Sequence, residues 1–287
     1  MTQPDPSTEP SEEGRAFAEL VSVMRRLLGP GGCPWDREQT LASLRPYLLE
    51  ETCEVLDALD AGDPAAHREE LGDLLMQIVF QAELRSAEGA FSLAEVPRAI
   101  ADKLVRRHPH VFAGGAAQSP EEVERQWEEI KAEEKRSADQ DSRPSALSGV
   151  PSALPALARA QKISRRAAGV GFDWDTADGS RRKVDEELAE IEHARAHEDP
   201  QAVEAEVGDA LYALVSYARK LGVDAELALR GATSRFERRF ESMEAELAGQ
   251  GRAPSDMSVA ELERYWQRAK ARTAERANAA NEPSSGR

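Results

Sequence analysis

The feature that most constrains this chain is a pattern of acidic residues that occurs twice at the same internal spacing. In the first half, the segment EETCE at 50–54 is followed by ELGD at 70–73. In the second half, EELAE at 186–190 is followed, after a gap of the same length, by EVGD at 206–209. A shared spacing of this kind indicates an internal duplication, so we expect two copies of one structural unit.

Apolar residues recur along the chain with the period of an α-helix. Leu20, Val23, Met24 and Leu27 lie three or four residues apart, and the glycine-rich segment 29–32 ends that pattern. Alternating runs of Val, Ile and Thr and Asn-Gly hairpin turns, which would indicate strands, are absent from the sequence. The sequence therefore predicts an all-α fold made of two tandem helical-bundle repeats.

Composition along the chain indicates where these repeats begin and end. Polar segments containing Pro and Ser occupy both ends, and we expect residues 1–13 and 276–287 to be disordered tails. Residues 137–154 are rich in Pro and Ser and lack apolar periodicity, so we expect a linker there. The predicted repeats are then residues 14–136 and 155–275.

Charge and hydropathy exclude several classes of function. The chain has 37 basic and 53 acidic residues and a net charge of −16, so we expect no nucleic-acid polymer as a partner. No run of 18 apolar residues is present, and the first residues lack the pattern of a secretory signal. Cys33 and Cys53 are too few for a disulfide framework. We therefore expect a cytoplasmic protein without a membrane span.

The repeated acids are spaced so that helices bring them together. Glu51 and Glu54 are three residues apart and share one helix face, as do Glu70 and Asp73 on the next helix. Gly62-Asp63-Pro64 supplies a turn between the two helices. An antiparallel helix pair can therefore direct these carboxylates at one point.

Such an acidic face could be merely solvated, but the apolar surroundings favour a metal site. Residues 71–80 read LGDLLMQIVF, with apolar side chains on all sides of the helix, so we expect this helix and Asp73 to be buried. The same reasoning applies to Asp209. A buried carboxylate must be paired or bind a metal, and ligand sets of oxygen alone favour Mg²⁺ first and Mn²⁺ next.

At these residues the chain resembles the MazG family, which are all-α nucleoside triphosphate pyrophosphohydrolases. The likeness rests on E-E-x-x-E followed by E-x-x-D, and it extends across most of the chain. Further matching segments are GCPWD at 32–36, RRHPHVF at 106–112, WEEIKAEE at 127–134, LPALARAQKISRRAAGVGFDW at 154–174 and FERRF at 236–240.

The resemblance implies hydrolysis of a nucleoside triphosphate to the monophosphate and diphosphate, a nucleotide-pool housecleaning activity. It implies a Mg²⁺ site in the second repeat, at Glu187, Glu190, Glu206 and Asp209. The matching first-repeat residues are Glu51, Glu54, Glu70 and Asp73. It also implies that the second repeat carries catalysis and that the protein is a homodimer, whose symmetric partner would cover an apolar face.

Further residues are assigned roles on the same basis. Glu186 or Glu187 is expected to orient the attacking water. Phosphate or nucleotide contacts are expected from Lys183, Arg235, Arg239, Lys131 and Trp266, with first-repeat equivalents Lys103 and Arg107. The lysines at 183 and 131 could instead be ordinary surface charges, and Trp266 could instead belong to the core.

Two other hypotheses remain open at the level of sequence. One or both repeats could be a non-catalytic module for nucleotide sensing or protein interaction. A di-iron helical bundle is the third possibility, because Glu190 and His193 form one E-x-x-H pair. The matching first-repeat position is Asp57, so the second E-x-x-H pair is missing.

Overall fold

The computed structural model describes residues 11–114, 119–138, 145–197 and 199–281. Within these residues every regular element is a helix, which confirms the all-α prediction. The chain divides into two compact units, Met1–Gln140 and Asp141–Arg287. Among the described helices, none is long and apolar enough to cross a lipid bilayer.

The first unit contains seven helices within the described residues. They are α1 (Glu12–Leu28), α2 (Pro34–Glu38), α3 (Arg45–Ala61), α4 (Pro64–Ala87), α5 (Glu95–Arg107), α6 (Pro109–Phe112) and α7 (Pro120–Ala138). Helix α4 packs against α3 and α1, and α7 packs against α5. Its core is centred on Met24, Leu44, Val79 and Phe80.

The second unit contains five α-helices and one short 3₁₀ turn within the described residues. They are α8 (Ala156–Ala168), α9 (Ala177–Ala196), α10 (Pro200–Lys220), α11 (Ala225–Ala248), the turn Pro254–Asp256 and α12 (Val259–Asn281). Helix α10 packs against α9 and α8, and α11 packs against α12. The core between α11 and α12 is centred on Met243, Leu247, Tyr265 and Ala269.

An Asp-Pro pair begins the second helix of each acidic hairpin. Asp63 accepts hydrogen bonds from the backbone N–H groups of Ala65 and Ala66, at 2.8 and 3.3 Å. Asp199 caps α10 in the same way, accepting from the next two N–H groups at 3.1 Å each. Proline follows as the first helical residue, where its missing N–H costs nothing. The predicted turn at Gly62-Asp63-Pro64 is confirmed, with Gly62 at a φ of 68°.

Helices extend into some of the segments that we predicted to be tails or linker. Helix α1 begins at Glu12, α7 ends at Ala138 and α12 ends at Asn281. Residues 1–10, 139–144 and 282–287 lie outside the described residues. The division between the two units, after Gln140, lies within the predicted linker.

The prediction that α4 is buried on all sides is wrong. Its apolar stripe of Leu71, Leu75 and Ile78 is exposed, at 46%, 37% and 43%. The corresponding stripe on α10, Val207, Leu211 and Leu214, is also exposed. The helices α1 and α3 pack against α4, but they leave this stripe uncovered.

The core of the second unit gives a direct test of the packing between α11 and α12. Leu247 has no exposed surface, so Leu247→Ala should lower the free energy of unfolding by about 2–5 kcal/mol. Leu229 lies on the same helix but is 55% exposed, so Leu229→Ala should change it by less than about 1 kcal/mol. Urea unfolding followed by circular dichroism measures both, and equal effects would contradict this packing.

Candidate metal centre and nucleotide site

The hairpin of α9 and α10 brings together acidic side chains of the second repeat. Glu187, Glu190 and Glu206 each offer a carboxylate oxygen, and these oxygens all lie within 4.8 Å of one another. Asp209, the fourth predicted ligand, is outside that group and is exposed, which corrects the prediction that it is buried. Three of the four predicted ligands therefore bring their carboxylate oxygens together, and Asp209 lies about one turn further along α10.

The first repeat forms a similar group, but from a different subset of the matching acidic positions. Glu51, Glu70 and Asp73 have carboxylate oxygens within 4.8 Å of one another, and all three residues are half-buried. Glu54 is exposed and lies outside the group. The burial predicted for Asp73 is therefore only partial, since the helix that carries it is open on one side.

Lys183 provides the positive charge nearest to the second group. Its Nζ atom lies 2.7 Å from Glu187 Oε1 and 2.8 Å from Glu186 Oε1. Glu187 is only 5% exposed, so this lysine compensates a carboxylate that has lost most of its water. The hydrogen bonds to Glu186 and Glu187 raise the pKa of Lys183, which therefore stays protonated.

Crowding of like charges raises the pKa of several carboxyl groups in both clusters. For Glu190 the largest cause is loss of water, followed by the hydrogen bond and negative charge of Glu187. Glu51 and Glu70 have raised pKa values for the same first reason, and the charge of Asp73 adds to both. A divalent cation bound among these oxygens would remove the repulsion, so the residues fit a hard metal ion.

A cavity of about 590 Å³ adjoins the second cluster. Glu187, Asp209 and Lys183 all contribute to its wall. The other lining residues come from α8, from the segment before α9, and from the facing sides of α9 and α10: Ser164, Ala167, Gly171, Phe172, Asp173, Trp174, Ser180, Tyr212, Ala213 and Ser216. Charged groups and aromatic rings therefore share one concave surface, which is typical of a site for a small polar ligand.

Asp173 fixes the segment that carries two of these aromatic residues. Its carboxylate accepts hydrogen bonds from Arg219 Nη2 at 2.6 Å and from the backbone N–H of Trp174 at 2.9 Å. Lys220 Nζ lies 2.7 Å from its other oxygen. Burial raises the pKa of Asp173, but the bonds from Arg219 and Lys220 outweigh it and hold that pKa below its usual range. This ion-pair network joins the segment to the C-terminal end of α10.

The other predicted nucleotide contacts of the second unit are not part of the cavity wall. Arg235 is exposed on α11, and Arg239 Nε donates to Thr273 Oγ1 at 3.4 Å. Trp266 is half-buried, packs on the core between α11 and α12, and has its ring 4.9 Å from that of Phe236. These contacts fit the core role considered for this tryptophan, and its contact with a nucleotide stays a prediction.

In the first unit, the predicted basic residues are placed differently from one another. Arg107 donates to Glu134 through Nη2 at 2.5 Å and Nε at 3.1 Å, and its guanidinium lies 5.1 Å from the Trp127 ring centroid. The hydrogen bonds from Arg107 and Arg106 lower the pKa of Glu134 to about 2. Lys103 is exposed on α5, and Lys131 is half-buried on α7. Arg107 is thus held in an ion pair within its own unit.

Comparison with known proteins agrees with this geometry. The family model described as the MazG nucleotide pyrophosphohydrolase domain matches twice, at residues 39–112 and 176–243. The chain is 47% identical over 254 residues to the nucleoside triphosphate pyrophosphohydrolase of Escherichia coli K12, covering 88% of this chain and 95% of the relative.

The chain belongs to the MazG family. It is also 42% identical over 259 residues to the nucleoside triphosphate pyrophosphohydrolase/pyrophosphatase MazG of Thermotoga maritima, covering 90% of this chain and 97% of that relative. A Bacillus subtilis protein, uncharacterized YabN, is 40% identical over 255 residues, which make up 51% of its length. Both acidic hairpins of this MazG chain lie within the matched segments.

Residues 173, 174, 180 and 212 were not predicted as site residues. Residues 173 and 174 end the segment 154–174 that contributes to the resemblance, but that segment assigns them no role. Ser180 and Tyr212 lie on the same helices as the acids that were identified, α9 and α10, and no sequence motif marks them as site residues. Their presence in the cavity depends on how α8 and the segment before α9 pack against the hairpin.

Cation binding tests the two clusters independently of any reaction. In isothermal titration calorimetry, Glu187→Gln combined with Glu190→Gln should lower the molar ratio of bound Mn²⁺, because it removes two of the converging carboxylates. Binding at the first cluster should remain. Asp185→Asn is the matched control, since Asp185 is exposed on the same helix and pairs with Arg181. An unchanged ratio in the double variant would contradict a metal site there.

Proposed function

We propose that this chain is a Mg²⁺-dependent nucleoside triphosphate pyrophosphohydrolase, which converts a nucleoside triphosphate and water into the monophosphate and diphosphate. The observation that carries the proposal is the convergence of Glu187, Glu190 and Glu206 within 4.8 Å, beside a cavity that also contains Lys183. The names of the relatives from Escherichia coli and Thermotoga maritima support the same reaction. Removal of surplus triphosphates from the cytoplasmic nucleotide pool is the corresponding role.

The acidic cluster is where the metal ion would be held. Glu187, Glu190 and Glu206 supply oxygen ligands, and Asp209 lines the adjoining cavity. Oxygen ligands favour Mg²⁺, and Mn²⁺ is the natural substitute. When bound, the ion supplies charge neutralisation for the triphosphate and for the diphosphate that leaves.

Two glutamates are the candidates for holding the attacking water. Glu186 is exposed and accepts a hydrogen bond from Lys183, while Glu187 is buried against the same lysine. A carboxylate oxygen of Glu186 or Glu187 orients the water towards the α-phosphorus and accepts its proton. Cleavage then breaks the bond between the α-phosphorus and the bridging oxygen, which leaves with the diphosphate.

Cationic side chains would bind the phosphate groups. Lys183 Nζ can exchange its bond to Glu186 for a phosphate oxygen while it remains close to Glu187. Arg235 and Arg239, four residues apart on α11, stay predicted phosphate contacts, as Lys131 and Trp266 stay predicted nucleotide contacts. Lys103 and Arg107 stay the predicted equivalents of these contacts in the first repeat.

The second repeat is the better candidate for catalysis. Its Lys183 lies four residues before Glu187, whereas the residue four before Glu51 is Tyr47. The Tyr47 ring packs edge-on against Trp35, with centroids 5.9 Å apart. The first cluster therefore lacks the cation that accompanies the second at that position, which supports a non-catalytic, nucleotide-sensing or protein-interaction role for the first repeat.

A homodimer would cover the exposed apolar stripes. Val207, Leu211 and Leu214 on α10 are between 41% and 51% exposed, and removing such side chains from water is favourable. A second copy of the chain would present the same stripe, as a symmetric interface requires. We therefore propose dimerisation through these helices.

Product analysis tests the proposed reaction. With Mg²⁺ and each common nucleoside triphosphate, the protein should release the monophosphate and diphosphate, detected by anion-exchange chromatography. Glu187→Gln combined with Glu190→Gln should reduce turnover by about 100-fold or more, because catalytic metal ligands are lost. The control, Glu51→Gln with Glu54→Gln, should retain most activity.

Release of orthophosphate instead of diphosphate would overturn the proposal. Loss of activity only in the Glu51 and Glu54 variant would move catalysis to the first repeat. Bound iron in the purified protein without any hydrolysis would favour the di-iron bundle instead.

Sedimentation tests the proposed dimer. Leu211→Glu places a charge in the α10 stripe and should shift the protein from dimer to monomer, since a buried unpaired carboxylate opposes association. Val259→Glu is the control, because Val259 is 84% exposed and lies on a different helix, at the start of α12. A monomer at all concentrations for the unmodified protein would contradict the interface.

A further inference from the structure

We propose that Lys183 is an internal counter-ion of the second cluster, whose ammonium group competes with the divalent cation for Glu187 and weakens cation binding in the absence of nucleotide. This inference rests on the proposed function, because it concerns the regulation of the same site. It gives Lys183 a role before any nucleotide binds, whereas a phosphate contact begins only afterwards.

The ammonium group of Lys183 lies among the acids that would hold the metal ion. Its Nζ atom is 2.7 Å from Glu187 Oε1, and Glu187 is one of the three residues whose carboxylate oxygens converge in this cluster. Two cations at one carboxylate repel each other, and the repulsion is stronger where little water screens it. The lysine therefore lowers the affinity of the cluster for a divalent ion.

Glu187 depends on this lysine when no metal ion is bound. Among the ion pairs of the described residues, Glu187 pairs with Lys183 and with no other cation. A buried carboxylate that loses its compensating charge destabilises the fold. Glu186 is 57% exposed, so its pair with the same lysine contributes little. The contact with Glu187 is thus the one that compensates a buried charge.

The lysine is nevertheless free to take another partner. It is only half-buried and lines the cavity beside the cluster. Lys183 precedes Glu187 by four residues, which is the weaker of the two orders for a helical ion pair, since the positive charge lies nearer the helix N-terminus. A phosphate group bound to Lys183 would cancel the charge that opposes the cation. By linkage, a bound cation would strengthen phosphate binding by the same factor.

The first cluster has a neutral group in the corresponding role. The residue four before Glu51 is Tyr47, which carries no positive charge. The buried Gln77 hydrogen-bonds to Glu51, and its amide N–H is the donor because its Oε1 atom has no partner. An amide satisfies a carboxylate oxygen without repelling a metal ion. Competition between a side-chain cation and the metal ion therefore belongs to the second repeat.

Titration calorimetry with Mn²⁺, without nucleotide, measures this competition. To isolate the second cluster, every protein compared also carries Glu51→Gln and Asp73→Asn, which remove first-cluster ligands. At about pH 8, above the ordinary range of carboxyl groups, Lys183→Met should bind Mn²⁺ about tenfold or more tightly than the protein with Lys183. The reason is that the competing charge is gone while the carboxylates remain ionised.

Two matched variants separate a local counter-ion from the overall charge. Arg181→Met removes the same charge from the same helix, but Arg181 pairs with the exposed Asp185 and not with the cluster. It should bind Mn²⁺ within about threefold of the protein with Arg181. Lys183→Arg keeps the charge and should also stay within about threefold. The inference is overturned if Lys183→Met binds Mn²⁺ no more tightly than Arg181→Met.

A further variant covers the case in which Lys183→Met fails to fold without metal, which circular dichroism would reveal. Lys183→Gln places a neutral amide beside Glu187, as Gln77 does beside Glu51, and should also bind Mn²⁺ more tightly. Mn²⁺ should raise its melting temperature more than that of Arg181→Met, because a tighter ligand stabilises the folded state more. An equal rise in the two variants would overturn the inference.

The same experiments separate this inference from the proposed function. Tighter Mn²⁺ binding in Lys183→Met, together with no hydrolysis of nucleoside triphosphates by the unmodified protein, would support the counter-ion and reject the reaction. Hydrolysis by the unmodified protein, with unchanged Mn²⁺ affinity in Lys183→Met, would reject the counter-ion and leave the reaction in place.

Discussion

Mutual repulsion among carboxylates held between two antiparallel helices is the constraint on which the site depends. Glu187, Glu190 and Glu206 bring their oxygens within 4.8 Å of one another, and Glu187 is almost fully buried. Lys183 offsets part of this charge, while loss of water and then the neighbouring Glu187 raise the pKa of Glu190. Packing of α9 against α10 maintains an arrangement that a divalent cation would make favourable, and the proposed metal centre rests on it.

The two repeats share this scaffold but differ in what surrounds it. Both begin their second helix with an Asp-Pro cap, and both gather acids from facing helices. In the second, the small residues Ser180 and Ser216 line a cavity at positions where the first has the core residues Leu44 and Phe80. The acidic cluster therefore occurs in both repeats, whereas the side chains beside it differ in volume.

Ion pairs also connect elements outside the two acidic hairpins. In the second unit, Asp173 connects the segment before α9 to Arg219 and Lys220 at the end of α10. In the first unit, Glu134 on α7 binds Arg106 and Arg107 at the end of α5. The two networks therefore have different roles. The ion pairs of Asp173 hold a segment of the cavity wall, whereas those of Glu134 join α5 and α7.

Periodicity and spacing in the sequence were enough to predict the helical class, the duplication, the Gly62-Asp63-Pro64 turn and the convergence of most of the acids. These features depend on local geometry, because residues three or four apart share a helix face wherever the helix lies. The tertiary structure alone decided that the Leu71 stripe is exposed, that Asp209 stands apart, that Arg107 pairs with Glu134 and that a cavity opens beside Glu187. A sequence pattern defines which side chains lie on a face, whereas only packing between distant elements determines what covers that face.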